Sequence, residues 1–157
     1  DVARITHHNE EAYVGALAIV HCVRRLAADE WPLDGDLAVR LVDVLPDTLV
    51  RDRIARFADS APTIEDAATH GTSGYVVDVV PLAVVVAQAA AEVEFRAAIE
   101  RAIACGGDTD TIAAIAGQLI GAALGRISIP DDLIEEFDEA PDVEKVGDEF
   151  QAALSHS

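Results

Sequence analysis

The chain has no methionine, one tryptophan and two cysteines among 157 residues. Without a methionine it is expected to be a fragment, a trimmed chain or a processed one, rather than an unprocessed complete translation product. The cysteines, Cys22 and Cys105, fit neither a disulfide framework nor a zinc-ligand spacing. Reduced, mostly buried thiols are expected, as in a cytoplasmic protein. Aromatic residues make up only 4%, so alanine, valine, isoleucine and leucine must do most of the packing, which favours closely spaced helices. Cations are scarce: Lys and Arg total 11 against 29 Asp and Glu, a formal charge of −18. That balance excludes broad polyanion binding to nucleic acid by counterion release, and an anionic membrane would repel the surface. A small phosphorylated ligand is not excluded, because helix N-termini or a bound cation can hold one. No signal peptide is visible. No apolar run reaches the ~18–20 residues of a membrane span: residues 76–93 are interrupted by Asp78, Pro81 and Gln88, and 112–124 is too short.

What is present is a hydrophobic half, 51% of the residues, enough for one domain with a core. Residues 10–28 carry Ala12, Ala16, Ile19, Val20, Val23 and Leu26 at helical spacing, behind Asn9 as a candidate N-cap and acidic Glu10 and Glu11. Further helices are predicted at 37–45, from Pro46 through Phe57, and as a short turn at 63–69. Residues 71–74 form a small-residue loop. The apolar stretch 75–93 has β-branched residues that suit a strand, but its alanine-rich continuation predicts a buried helix entered near Pro81. Helix continues over 95–104, breaks at Gly106 and Gly107, and resumes over about 109–124. Pro130 opens a short acidic helix, and 143–154 forms the last. The fold predicted is all-α and single-domain.

The stretch from Cys105 to Gly125, CGGDTDTIAAIAGQLIGAALG, carries the chemistry. Asp108, Thr109, Asp110 and Thr111 arrive at a helix start, with Asp108 placed as N-cap. Their hard oxygens suit magnesium, manganese or calcium. By spacing alone, Asp-x-Asp equally fits an ordinary helix N-terminus, and the EF-hand pattern fails. Gly117, Gly121 and Gly125 recur every four residues, a stripe tolerable where another backbone packs very close.

GGDTDT followed by IAAIAG resembles the C-terminal signature of the ADP-ribosylglycohydrolase family, which includes the dinitrogenase reductase-activating glycohydrolases and the ADP-ribosyl-acceptor hydrolases. Two more segments agree in order. Thr6, His7, Glu11 and Ala12 resemble the family's Thr-His motif ahead of a helix. Gly71, Ser73, Gly74, Tyr75 and Val76 resemble its Gly-x-Ser-Gly-Tyr-Val loop, with Pro81 at the usual distance. The resemblance spans nearly the whole chain, 1–157, as the C-terminal part of one such domain.

The resemblance implies an all-α fold and a binuclear magnesium or manganese site in a cleft. Asp108, Asp110 and Thr111 correspond to metal ligands, with Asp108 and Asp110 as the catalytic acids. Ser73, Gly74 and Tyr75 correspond to the ADP-ribose pocket, where Tyr75 would stack on adenine, though a half-buried structural tyrosine fits equally. Gly106 and Gly107 would admit phosphate or ribose near the backbone. His7 would line the cleft or orient the first helix. Asp78, an acid in an apolar run, would be a supporting carboxylate or a buried cap. The reaction implied is hydrolysis of a glycosidic bond to ADP-ribose. The family's Thr-Asp-Asp motif, which supplies the remaining ligands, is absent here. The chain is therefore expected to need a companion N-terminal half or to self-associate. Alternatives are an inactive ADP-ribose or metal-binding module and a structural, crystallin-like relative.

Overall fold

The computed structural model of the chain describes residues 9–155. Among them are nine α-helices, one short 3-10 turn and no strand, so the all-α expectation holds. No helix among the described residues is long and apolar enough to cross a membrane. His7 and Thr6 lie outside the described residues.

Local sequence explains most helix starts. Helix α1 (Glu10–Ala27) begins where the Asn9 side chain accepts the Glu11 amide at 2.9 Å, with acids in its first turn and Arg24 and Arg25 in its last. Both charge placements suit the helix dipole. Helix α2 (Leu37–Val44) buries Leu37, Ala38 and Leu41. Helix α3 (Leu49–Ser60) starts three residues later than Pro46 suggests, because Thr48 is its N-cap. The second reason is distant in sequence. The Glu11 carboxylate accepts the amides of Leu49 and Val50, each at 2.9 Å. One acid of α1 thus satisfies two donors that a helix start leaves without intrahelical partners.

Helix α4 (Ile64–Ala68) is capped by Thr63. Helix α5 (Val76–Ala89) begins five residues ahead of Pro81, not near it, with Tyr75 in the N-cap position. Pro81 deletes the bond to the Val77 carbonyl, a defect that costs about 3 kcal/mol in an ordinary helix interior. Burial of every residue from Val79 to Ala87 offsets it. A turn at 90–94 then separates α5 from α6 (Phe95–Ala104). Helix α7 (Thr109–Leu124) buries Ile112, Ala116, Leu119 and Ile120. A 3-10 turn (Arg126–Ser128), a short α8 (Asp131–Glu135) behind Pro130, and α9 (Ala140–Ser155) complete the chain.

The core lies between α5 and α7, the most extensively packed pair. Helix α1 lies on α7, α3 on α5, and α6 on α7, while α2 pairs with α3. The glycine stripe of α7 is not explained as predicted. Gly117 faces the Phe95 ring at ordinary contact distance, about what a methyl group would tolerate, and Gly121 faces open space. Gly125 ends the helix with φ of +74°, so its role is a C-cap rather than close packing. No backbone presses on the stripe among the described residues.

Both cysteines are free. Cys22 is fully buried in α1, and burial pushes its thiol up to about 12, which makes it inert. Cys105 is partly buried, its thiol is also raised by burial, and Sγ donates to the Arg101 carbonyl at 3.3 Å.

Arg101 of α6 clamps Glu65 of α4 in a bidentate pair, Nε to Oε1 at 2.8 Å and Nη2 to Oε2 at 2.7 Å. The Arg101 hydrogen bonds, followed by a backbone amide bond, pull the Glu65 carboxyl from the usual 4.5 down to about 2. The folded value is depressed, so the pair's stabilisation is fully present above the unfolded value and is lost as pH falls from about 4.5 toward about 2. An NMR titration should place the Glu65 midpoint near 2, and in Arg101→Ala it should move back toward 4.5. The pair is solvent-exposed, so its share of stability is small. A Glu65 midpoint that ignores the Arg101 substitution would contradict the assignment.

Candidate functional site

Two chain segments more than thirty residues apart in sequence meet at one point. The Asp108 amide, at the start of α7, donates to the Thr72 carbonyl at 2.7 Å. Gly107 makes this approach possible: its φ is +83°, and a Cβ there would fall 2.1 Å from the Thr72 carbonyl oxygen. Gly74 gives the second clearance, since a Cβ there would lie 3.0 Å from Asp108 Oδ2. The 71–74 loop and the 105–108 turn are therefore pressed backbone to backbone. Thr72 and Gly74 are thereby brought against Gly107 and Asp108.

Asp108 occupies the N-cap position of α7, but its side chain caps no backbone amide. This departs from the capping role read from sequence. The carboxylate instead accepts the Thr111 hydroxyl at 3.1 Å. Interaction with the Asp108 side chain, and then the amides of Thr111 and Asp110, hold the Asp110 carboxyl below the usual carboxylate range. Asp110 and Thr111 are exposed, and Asp108 is half-buried. Two neighbouring carboxylates repel when both are charged, and a cation between them removes that repulsion.

Oxygens of Asp108, Asp110 and Thr111 face one side of a helix start and suit a hard divalent ion. The set is partial. Among the described residues no group of three or more His, Cys, Asp or Glu side chains could hold a metal ion.

The loop is fastened from behind. Ser73 Oγ donates to Asp78 Oδ2 at 2.6 Å and accepts the Tyr75 amide at 3.2 Å. Asp78 pairs with Arg53 of α3 at 3.7 Å, and Arg53 also donates to the His70 carbonyl at 2.7 Å. Asp78 is thus a supporting carboxylate with partners on both sides, which removes the penalty of an unpaired acid in an apolar run. The Tyr75 ring is half-exposed and lines a shallow depression with Leu49, Arg53 and Arg56 of α3. Gly106 has φ of +73° and faces open space, while the same side of Gly107 is filled by Thr72.

Sequence reasoning missed Thr72 and Arg53. Thr72 acts through its backbone carbonyl, so its identity carries no signal. Arg53 is one of several arginines on an amphipathic helix, and nothing local marks it as the partner of Asp78.

The sequence model of the family described as ADP-ribosylglycohydrolase matches residues 1–156. No curated protein and no solved structure matches the chain.

Proposed function

Since the chain belongs to the ADP-ribosylglycohydrolase family, we propose that it supplies part of a metal-assisted site that hydrolyses the glycosidic bond between ADP-ribose and a modified target. The family match supports a glycohydrolase-type function in general terms. The observation that carries the finer reading is the crossing of the two signature segments, fixed by the 2.7 Å bond from the Asp108 amide to the Thr72 carbonyl. It supports reading the acid turn and the Gly-Tyr loop as parts of one site.

In this reading Asp108, Asp110 and Thr111 hold magnesium or manganese, the ions that such oxygens suit. The bound metals would orient ribose hydroxyls and polarise the attacking water. Ser73, Gly74, Tyr75, Gly106 and Gly107 line the ADP-ribose pocket, with His7 as a further contributor. Gly106 leaves room for a ligand against the backbone, and the half-exposed Tyr75 ring offers a face to the base. Ser73 keeps the loop in register through Asp78. Asp108 and Asp110 hold the negative charge that an oxocarbenium-like transition state favours.

Two carboxylates and a hydroxyl fill only part of the shell of two cations. We propose that a companion segment supplies the remaining ligands and covers part of α7. The open space at Gly121 and the exposed Leu124 and Ile127 beyond it support this.

The test is calorimetric titration of the chain with magnesium and ADP-ribose, beside Asp110→Ala. Metal-dependent ADP-ribose binding is expected, weakened at least about tenfold by the substitution, as for loss of one charged ligand. Binding that needs neither metal nor Asp110 would refute the cation site. In the assembly completed by a companion, binding without release of ADP-ribose from any modified substrate would favour an inactive binding module.

A further inference from the structure

Helix α9 presents an apolar stripe that the described residues leave exposed. Val143, Val146 and Phe150 are 60%, 64% and 67% exposed. Their spacing is three and then four residues, that of successive a, d and a positions in a heptad repeat. Among the described residues no other helix packs extensively along α9. It is tied to the body at its start, by the ion pair of Glu144 with Arg126 at 3.3 Å and by buried Ala140.

The charge around the seam is one-sided. Residues 130–155 contain ten Asp and Glu and a single lysine, Lys145, which is the only lysine in the chain. Asp142 and Glu149 each precede an a-position residue, so they take the g positions that set partner choice in coiled coils. Gly147 occupies the e position between them and carries no side chain to answer an acid.

We propose that α9 is a docking helix for a partner protein, and that it receives a cationic amphipathic helix whose Lys or Arg side chains face Asp142 and Glu149. A second copy of this chain is the poorer occupant. An antiparallel pair of copies would set the g-position acids against one another, and a parallel pair would set Asp142 opposite Gly147, with no cation to answer it. An anionic bilayer is repelled for the same reason. The helix itself is marginal in isolation, because a two-heptad segment with an interior glycine propagates weakly. Engagement of the seam is what would hold it.

The probe is a synthetic amphipathic helix of about three heptads with lysine at its e and g positions, compared with a twin carrying glutamate there. Both are titrated into the isotope-labelled chain. The lysine peptide is expected to shift the amides of Val143, Val146 and Phe150. Its affinity should fall about tenfold or more in Phe150→Ala, as for loss of an aromatic anchor, and should fall with added salt. The glutamate twin should leave those amides unmoved. Phe150→Ala should melt at the same temperature as the parent, since the ring contributes little to the core.

Unshifted α9 amides with the lysine peptide would overturn the proposal, as would equal binding of both peptides. Concentration-dependent self-association abolished by Phe150→Ala would assign the seam to a second copy instead. A lowered melting temperature would show that the helix packs on the body.

Discussion

Gly107→Ala is expected to destabilise the chain by about 2–5 kcal/mol and to separate the two halves of the site. Two costs combine. The residue sits at φ of +83°, and an L side chain in left-handed backbone costs roughly 1–2 kcal/mol. The new methyl would also fall 2.1 Å from the Thr72 carbonyl oxygen and 2.3 Å from its hydroxyl oxygen. Backbone or side chain must then move, and overpacking of this kind costs about 1–3 kcal/mol. The moving part would be the 71–74 loop, which carries Ser73 and Gly74 away from Asp108. Gly106→Ala is the control. Its φ is also positive, at +73°, but the added methyl meets nothing within 4 Å. Only the conformational cost of about 1–2 kcal/mol should appear there. Urea denaturation of both variants separates the terms, and equal losses would mean that the crossing is not tight.

Leu119→Ala should cost about 2–5 kcal/mol, the range for truncating a fully buried leucine. Leu119 is completely inaccessible in the face of α7 that also buries Ile112, Ala116 and Ile120. The lost methyls would leave a cavity where α5, α1 and α6 converge on α7. Typical domains are stable by only about 5–15 kcal/mol, so the loss is a large fraction of the whole. Leu124→Ala, at the 44% exposed end of the same helix, should cost under about 1 kcal/mol. Thermal or denaturant melts compare the two. Similar losses would show that the far end of α7 is covered, as it would be by a companion segment present in the sample.

The elements that sequence located well are those whose causes are local. Asn9 and Thr63 cap the helices they precede, because a cap is decided within three residues. The glycines at 106 and 107 end α6 and turn the chain into α7 as their backbone freedom predicts. The misplacements have non-local causes. Helix α3 starts at Leu49 because Thr48 and a carboxylate from α1 satisfy its first amides, and the Glu11 contact spans 38 residues. The β-branched start of α5 is helical because it is buried among α1, α3 and α7, a tertiary effect that outweighs propensity. The glycine stripe misled because its spacing is the same whether the face opposite is backbone, an aromatic ring or open space. In the site, the acid turn and the Gly-Tyr loop were each legible as motifs. Their contact was not, since it runs through a main-chain carbonyl.

That carbonyl has an evolutionary consequence. A link made by the peptide group of residue 72 is blind to which side chain grows there. The loop lining the candidate pocket is thus free to diversify at positions 72 and 75, and with them the range of ligands admitted, while Ser73 stays tied to Asp78 and the acid pair keeps its spacing from the loop. Mutational drift is filtered instead at Gly107, where any side chain at all would push the loop and the turn apart, and less strictly at Gly74, where it would meet only the end of the Asp108 side chain.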